Sequence, residues 1–329
     1  MSIMYDDDYN MCISNLESEN IVSHIKNYCE KNGDIFVVSL SGGVDSMVVT
    51  SILNSLKYKT VCIHINYNNR KESGQETQFL KSWCECNNID LHVKDITHIK
   101  RSEIKRSVYE EQTRNIRFDL YKDVLKKTGG KSIILGHHDG DIVENVYNNI
   151  CRGRDVLDLT VMKKESVTDG VQISRPLLGL WKEEIYKFAH KYKVPFFKDT
   201  TPLWSLRGTF RSILLPILVK KYSSIYQNLL DISRQSDEWN DLIQAQILDP
   251  FLNTIIYDKN SVSMNISDYK KYQKCFWKRV FRHVYHKYNK KVPTNKVVEN
   301  LVLNKDANIS FTNESKLVIK SGILVITFN

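Results

Sequence analysis

Ser41-Gly42-Gly43-Val44-Asp45-Ser46 places two glycines, two hydroxyls and one carboxylate in six consecutive residues. An apolar run, Ile35-Phe36-Val37-Val38, precedes it; an apolar-periodic stretch with Met47, Val48, Val49, Ile52, Leu53 and Leu56 follows. The pattern reads as strand, glycine turn, helix. Such a turn lets backbone N–H groups and a helix N-terminus approach a phosphate closely. It is not a Walker A loop, because no Gly-Lys-Ser/Thr follows at the required spacing. The bland alternative is a plain turn with a Ser or Asp helix cap; six fitting residues between a buried-type strand and a helix outweigh it.

Other segments carry chemistry too. In Gly136-His137-His138-Asp139-Gly140-Asp141-Ile142-Val143-Glu144, the acids Asp141 and Glu144 lie three apart in the expected first turn of a helix over 141–151 and share a face. The helix dipole keeps carboxylates there ionised. Two of them can bind Mg²⁺, bind an ammonium group or take a proton from an amine nucleophile, or they can simply cap the helix. The segment His64-Ile-Asn66-Tyr67-Asn-Asn-Arg70 ends a strand whose backbone could hold an adenine, with Arg70 as a cation for phosphate or RNA, or as the tip of a polar loop. Arg114 and Arg117, in Glu111–Phe118, sit on one side of a helix and suit phosphate contacts or a solvated face. Arg152-Gly153 ends the 141–151 helix, and Arg175-Pro-Leu-Leu178 lies downstream. Arg207 and Arg211, four apart, offer guanidinium forks to pyrophosphate or RNA phosphate.

These residues need a scaffold. From Asp34 to about Phe197, strands at 35–40, 60–66, 90–96 and 131–136 alternate with helices at 45–56, 74–87 and 111–127. That order predicts an α/β fold with a parallel sheet covered by helices on both faces. Ligands in such sheets bind beyond the C-terminal strand ends, where 41–46, 64–70 and 137–144 all fall. From about 208 the pattern turns helical, with helices near 208–221, 223–246, 268–289 and 294–304 and closing strands at 308–312, 316–320 and 323–328 that suggest a meander. The expected organisation is a catalytic domain over 1–218 and a smaller, mostly helical domain over 219–329.

The 329 residues suit about two domains. The apolar run near 212–219 is far too short to span a bilayer, and the acidic start is unlike a secretory signal. Cysteines at 12, 29, 62, 84, 86, 151 and 275 are odd in number and unclustered, which suggests a reducing, cytoplasmic setting. No C-x-x-C occurs, so a zinc ribbon or iron–sulfur site has no support. The net charge of +9 mildly favours a polyanionic partner such as RNA. Residues 270–291 hold nine cations and no acid; Lys274, Lys278 and Arg282 among them are candidate RNA-backbone contacts. The stripe Tyr272, Phe276, Val280, Val284 and Tyr288 reads as core.

The order S-G-G-x-D-S resembles the PP-loop ATP pyrophosphatases, which cleave ATP between its α and β phosphates. With 64–70, 111–118, 137–144, Arg152-Gly153, 175–178 and 199–216, the chain resembles the tRNA(Ile)-lysidine synthase family over most of its length. The resemblance implies ATP-dependent adenylation of the wobble cytidine of a CAU-anticodon tRNA, then attack by the ε-amine of L-lysine. It implies that Ser41, Gly42, Gly43, Val44, Asp45 and Ser46 hold ATP, together with His64 and His137, and that Asp45 helps through a phosphate-bound Mg²⁺. Asp141 and Glu144 would orient lysine, and one of them would accept a proton from its ammonium group. Arg207 would act in catalysis, and Arg70, Arg114, Arg117, Arg152 and Arg211 would contact tRNA. The expected partners are tRNA, lysine and ATP, with no membrane; a homodimer is admitted. Gly140 replaces the first of two adjacent aspartates, Ile142 a Gln, Tyr67 a common His, Pro202 an Asn and Gly208 an Asn. Two other functions remain open: another PP-loop tRNA modification such as thiolation, for which Cys62 and Cys151 would be the cysteines to test, and a degenerate tRNA-binding homologue.

Overall fold

The computed structural model describes residues 3–4, 19–69, 72–99, 101, 103–160, 162–199, 201–294, 298–299, 308–312 and 315–329. The chain divides into two compact units, Met1–Arg234 and Gln235–Asn329.

The first unit opens with β1 (Ile3–Met4), α1 (Asn20–Asn32), β2 (Ile35–Ser39), α2 (Val44–Ser55), β3 (Lys59–Asn66), α3 (Ser73–Cys86) and β4 (Asp90–Asp95). It continues through α4 (Arg106–Thr128), β5 (Ile133–Ile134), α5 (Asp139–Cys151), β6 (Glu165–Thr168), β7 (Val171–Ser174), α6 (Lys182–Lys191) and β8 (Phe196–Phe197). Next come α7 (Leu206–Thr209), a π-helical turn (Phe210–Leu214), α8 (Leu215–Lys221) and α9 (Ile225–Ile243), within which the unit boundary falls.

Six strands form one sheet in the order β4-β3-β2-β5-β7-β6, parallel except for β6. Strand β2 is apolar from Ile35 to Val38 because both its faces are covered. Phe36 and Val38 pack with Val48, Ile52, Ile25 and Ile185 of α2, α1 and α6. Val37 packs on the opposite face with Phe118, Tyr121 and Val124 of α4. The strand order reverses at β2, which has β3 on one side and β5 on the other. A crevice opens at such a switch point beyond the strand ends, and the loop at 41–46 follows β2 directly.

The hairpin β6–β7 was not foreseen. Its turn is Asp169-Gly170, with φ +49 and +76, the dihedral signs that a two-residue hairpin turn needs. The Asp-Gly pair between Val167 and Val171 was a legible signal for it. The expected strand at 131–136 narrows to Ile133–Ile134. The expected helix at 208–221 is interrupted by the π turn.

The unit boundary also lies later than the expected one between 218 and 219. Val143 and Val146 of α5 bury against Phe210 and Leu229, with Leu218, Ile225 and Tyr226 packed around them. This apolar contact ties the start of α9 to the first unit.

The second unit holds a π turn (Gln244–Leu248), α10 (Asp249–Leu252), β9 (Ile256–Tyr257), β10 (Ser261–Asn265), α11 (Lys274–Lys287), β11 (Asn308–Thr312), β12 (Ser315–Lys320) and β13 (Ile323–Phe328). The expected meander β11-β12-β13 is extended by β10 and β9 into a five-stranded sheet. Phe276, Trp277, Val280, Phe281, Val284 and Tyr285 bury one face of α11 against it. Of the expected helix at 294–304, most lies outside the described residues.

Candidate active site

The loop after β2 is built from its own hydroxyls and two glycines. Ser46 Oγ donates to Gly43 O at 3.0 Å, and Ser46 Oγ and Ser41 Oγ are 3.1 Å apart. Gly43 N donates to Ser41 Oγ at 3.3 Å. Gly42 has φ +83, and a Cβ there would lie 2.4 Å from the Phe197 ring. Phe197 N donates to Gly42 O at 2.9 Å, so β8 presses directly on the loop. Only glycine meets both demands. Gly43 is the N-cap of α2, which aims the positive end of that helix at whatever the loop holds.

A cavity of about 1440 Å³ opens above the loop. Of the residues singled out in the sequence, Ser41, Gly43, Val44, Asp45, Ser46, His137, Asp141, Arg207 and Arg211 line it. Lys182, the first residue of α6, lines it too and was missed. Its Nζ donates to both Asp45 oxygens, at 2.7 and 2.6 Å, and lies 5.3 Å from the Tyr186 ring centroid. No sequence periodicity marks a lysine that acts across 137 positions of chain.

On the far side of Asp45 stands His138. Its Nε2 is 3.9 Å from Asp45 and 3.5 Å from Asp141. Burial lowers its pKa, so the ring is neutral near pH 7. A Cβ at Gly140 would lie 2.8 Å from His138 Cε1, so the glycine makes room for this ring. His137 is lowered to about 4 by burial, assisted by Arg175 and Arg207, against the pull of Asp141. Its Nδ1 accepts from Arg175 Nε at 3.1 Å, which places the ring proton on Nε2. Arg175 in turn donates to Lys163 O and Ser166 Oγ at 2.8 and 2.9 Å, so the unforeseen hairpin orients this pair.

Asp141 and Glu144 are both about 5% exposed. Asp141 Oδ2 accepts from the His138 backbone N–H at 3.1 Å, the capping role also considered for it. Arg207 donates to Glu144 Oε1 at 2.6 Å and Asp141 Oδ1 at 3.3 Å. Arg211 donates to Glu144 Oε2 at 2.7 Å, Asp141 Oδ1 at 3.0 Å and Asp199 Oδ2 at 3.2 Å. Burial opposes ionisation of Asp141, but His138, His137, the His138 N–H and Arg207 outweigh it and hold the acid below the usual range. Glu144 does not line the cavity. Both its oxygens are taken by guanidinium groups, so its visible role is to hold the arginine pair, and Asp141 is the carboxylate that reaches the cavity.

Two sequence departures touch one another. A Cβ at Gly208 would lie 2.1 Å from Pro202 O, and Ser205 bridges the same two residues. The proline-containing turn therefore requires a glycine at 208, the residue after Arg207.

The remaining candidates lie elsewhere. His64 is buried beneath the loop, with Nδ1 donating to Leu40 O at 2.9 Å and Nε2 3.2 Å from Thr77 Oγ1. It supports the loop from below and does not line the cavity. Arg114 pairs with Asp169 at 2.7 Å and lies over Phe118, as does Arg117; neither lines the cavity. Arg152 is exposed at the C-cap of α5, the opposite end of that helix from Asp141. Arg70 lies outside the described residues. In the second unit, Lys274 pairs with Glu299, Lys278 is half-buried, and exposed Arg282 lines a cavity of about 620 Å³ with Arg279, His283, His286 and Lys287.

A twisted parallel sheet with this glycine-serine loop at its switch point defines a class. The PP-loop domain model matches residues 16–216, and the chain belongs to that family. Within it, the chain is similar to tRNA(Ile)-lysidine synthases. It is 27% identical to that of Staphylococcus aureus over 242 residues, covering 71% of this chain and 56% of that protein. It is 28% identical to that of Enterococcus faecalis over 217 residues, covering 64% and 46%. The chain thus spans about half the length of the curated relatives it matches. Among solved structures it resembles the U34-tRNA thiolase NcsA from Methanococcus maripaludis, with a TM-score of 0.53 and 17% identity over 70% of this chain and 81% of that one, a likeness of fold. No helix among the described residues is long and apolar enough to cross a membrane.

Proposed function

We propose that this chain is an ATP-dependent tRNA-modifying ligase that joins L-lysine to the wobble cytidine of a CAU-anticodon tRNA. The observation that carries this reading is the meeting of the 41–46 loop, Asp141 and the Arg207–Arg211 pair on one cavity. The first unit carries the chemistry and the basic second unit contacts RNA backbone.

In this reading the loop N–H groups and the α2 N-terminus cradle the phosphates of ATP, with the adenine toward the β3 and β4 ends, where Tyr67, Asn68 and Ile96 line the same cavity. The cytidine 2-oxo oxygen attacks the α-phosphorus and pyrophosphate leaves. The lysine ε-nitrogen then attacks C2 and AMP leaves. Lys182, Arg207 and Arg211 face the negative charge that builds up on the departing groups. Asp141, ionised and at the cavity wall, receives the lysine ammonium. The attacking species is the free amine, formed when the ammonium gives its first proton to solvent; as the carbon–nitrogen bond forms the nitrogen becomes strongly acidic, so a weak carboxylate base suffices to take the second proton.

Among the described residues no group of three or more His, Cys, Asp or Glu could hold a metal alone. That suits Mg²⁺, which is commonly held by one or two carboxylates plus substrate phosphates. Asp45 would hold it, and when bound the ion would neutralise phosphate charge. Both Asp45 oxygens accept from the Lys182 ammonium, which would move aside toward the phosphates when the ion binds.

Sulfur transfer is less well supported. Among the described residues no cysteine lines the cavity; Cys62 is fully buried, with its thiol pushed far up by burial, and Cys151 is exposed at the distal end of α5.

The test is nucleoside mass spectrometry after incubation with ATP, Mg²⁺, isotope-labelled lysine and a CAU-anticodon tRNA, with Asp45→Ala and Asp141→Asn as controls. Labelled lysyl-cytidine from the wild type alone is the expected result. Its absence with every CAU-anticodon tRNA tried would overturn the proposal.

A further inference from the structure

Trp204 lines the cavity yet is 75% exposed, more than Trp239 at 57% and far more than Trp83 and Trp277 at 7% and 2%. Its neighbours Leu203 and Leu206 are 62% and 63% exposed. So much uncovered apolar surface beside a polar cavity marks a contact surface.

The turn that presents it is pinned at several points. Pro202 O accepts from Ser205 N and Oγ at 3.0 and 2.7 Å, Gly208 N donates to Ser205 Oγ at 3.0 Å, and Thr209 Oγ1 donates to Leu203 O at 2.7 Å. With Pro202 O against Gly208, the turn has little freedom left to lose on binding. Lys198, Arg207 and Arg211 line the cavity on the same stretch of chain. An exposed indole among cations suits a flat, unstacked base carried on a phosphate backbone.

The adenine of ATP is the other base at hand. In the reading above it lies toward Tyr67, Asn68 and Ile96, which follow β3 and β4, on one side of β2. Arg207, Phe210 and Arg211, which follow Trp204 in the chain, instead contact α5, which follows β5 on the other side. Resting on the function proposed above, we propose that Trp204 is a stacking platform for an unpaired nucleobase of the RNA substrate at the mouth of the cavity. It is a positioning and specificity residue; it takes no part in the chemistry.

The experiment measures binding of a fluorescently labelled CAU anticodon stem-loop to the full chain by anisotropy, for wild type, Trp204→Ala and Trp204→Phe. ATP affinity is measured in parallel by calorimetry. Loss of one aromatic stack should weaken RNA binding by about tenfold in the alanine variant. The phenylalanine variant should stay within about threefold of wild type, and ATP affinity should not change. Equal RNA affinity for wild type and Trp204→Ala would overturn the proposal, as would an equal loss of ATP affinity, which would assign the indole to the ATP adenine. If the wild type transfers lysine while Trp204→Ala binds RNA normally, only this inference falls. If the wild type binds no stem-loop, both fall.

Discussion

Arg211→Met isolates what the arginine pair contributes. Arg211 donates to three carboxylates, of which Asp141 and Glu144 have side chains 8% and 6% exposed, whereas that of Asp199 is 51% exposed. The Asp199 contact is worth at most about 1 kcal/mol, as for surface pairs. Each contact to a buried carboxylate is worth about 1.5–3 kcal/mol as a charge-assisted hydrogen bond. Arg207 still reaches both acids in the variant, and Arg211 is itself 30% exposed, so the full sum is not lost. The net cost works out at about 2–4 kcal/mol, near the range for removing one partner of a buried pair. In a unit of this size that lowers the melting temperature by about 6–12 °C. Differential scanning calorimetry of the full chain, following the transition of the first unit, reads it directly. Arg211→Lys should not restore stability, because a single ammonium cannot bridge acids approached from separate guanidinium nitrogens. Adding Glu144→Gln to Arg211→Met should cost less than the two changes summed. A variant melting within 1 °C of wild type, or full rescue by lysine, would refute the account of the cluster.

Three further outcomes follow from the same geometry. His137 has a folded pKa of about 4 against an ordinary 6.5, so the unfolded chain binds its proton first as pH falls. Stability from this group is complete above pH 6.5 and drains away between 6.5 and 4, by up to about 3 kcal/mol. His137→Asn should therefore flatten the fall in urea midpoint between pH 7.5 and 5, though not abolish it, because His138 is shifted the same way. Gly42→Ala must move Phe197 off the loop and hold alanine at φ +83, so ATP affinity measured by calorimetry should drop at least tenfold while the second unit still unfolds normally. Alkylation followed by peptide mass spectrometry should label exposed Cys86, Cys151 and Cys275 quickly. It should spare buried Cys62 and Cys29, whose thiol is pushed up to about 12 by burial, until the chain unfolds.

Much of this was legible in the sequence because it is local. The 41–46 loop announces itself through six contiguous residues between an apolar run and a periodic helix, and Asp141 and Glu144 through their spacing in one helical turn. Hydrophobic alternation and glycine punctuation gave the β-α order, and with it the side of the sheet on which a site must form. These signals survive without tertiary information because they depend on the backbone of a few neighbouring residues.

Tertiary structure decided the partners. Lys182 reaches Asp45 from the start of another helix, and Arg175 orients His137 from the end of a hairpin whose Asp-Gly turn was overlooked. Arg207 and Arg211 turn toward Asp141 and Glu144, because Val143, Val146, Phe210 and Leu229 bury against one another and carry the 206–230 segment onto α5. The same packing moved the unit boundary. His64 was drawn under the loop and Glu144 behind the arginines, since a buried polar group must find a partner wherever the fold brings one within reach. Whether a side chain faces the cavity or supports its wall is a property of such distant contacts, and sequence spacing carries no information about them.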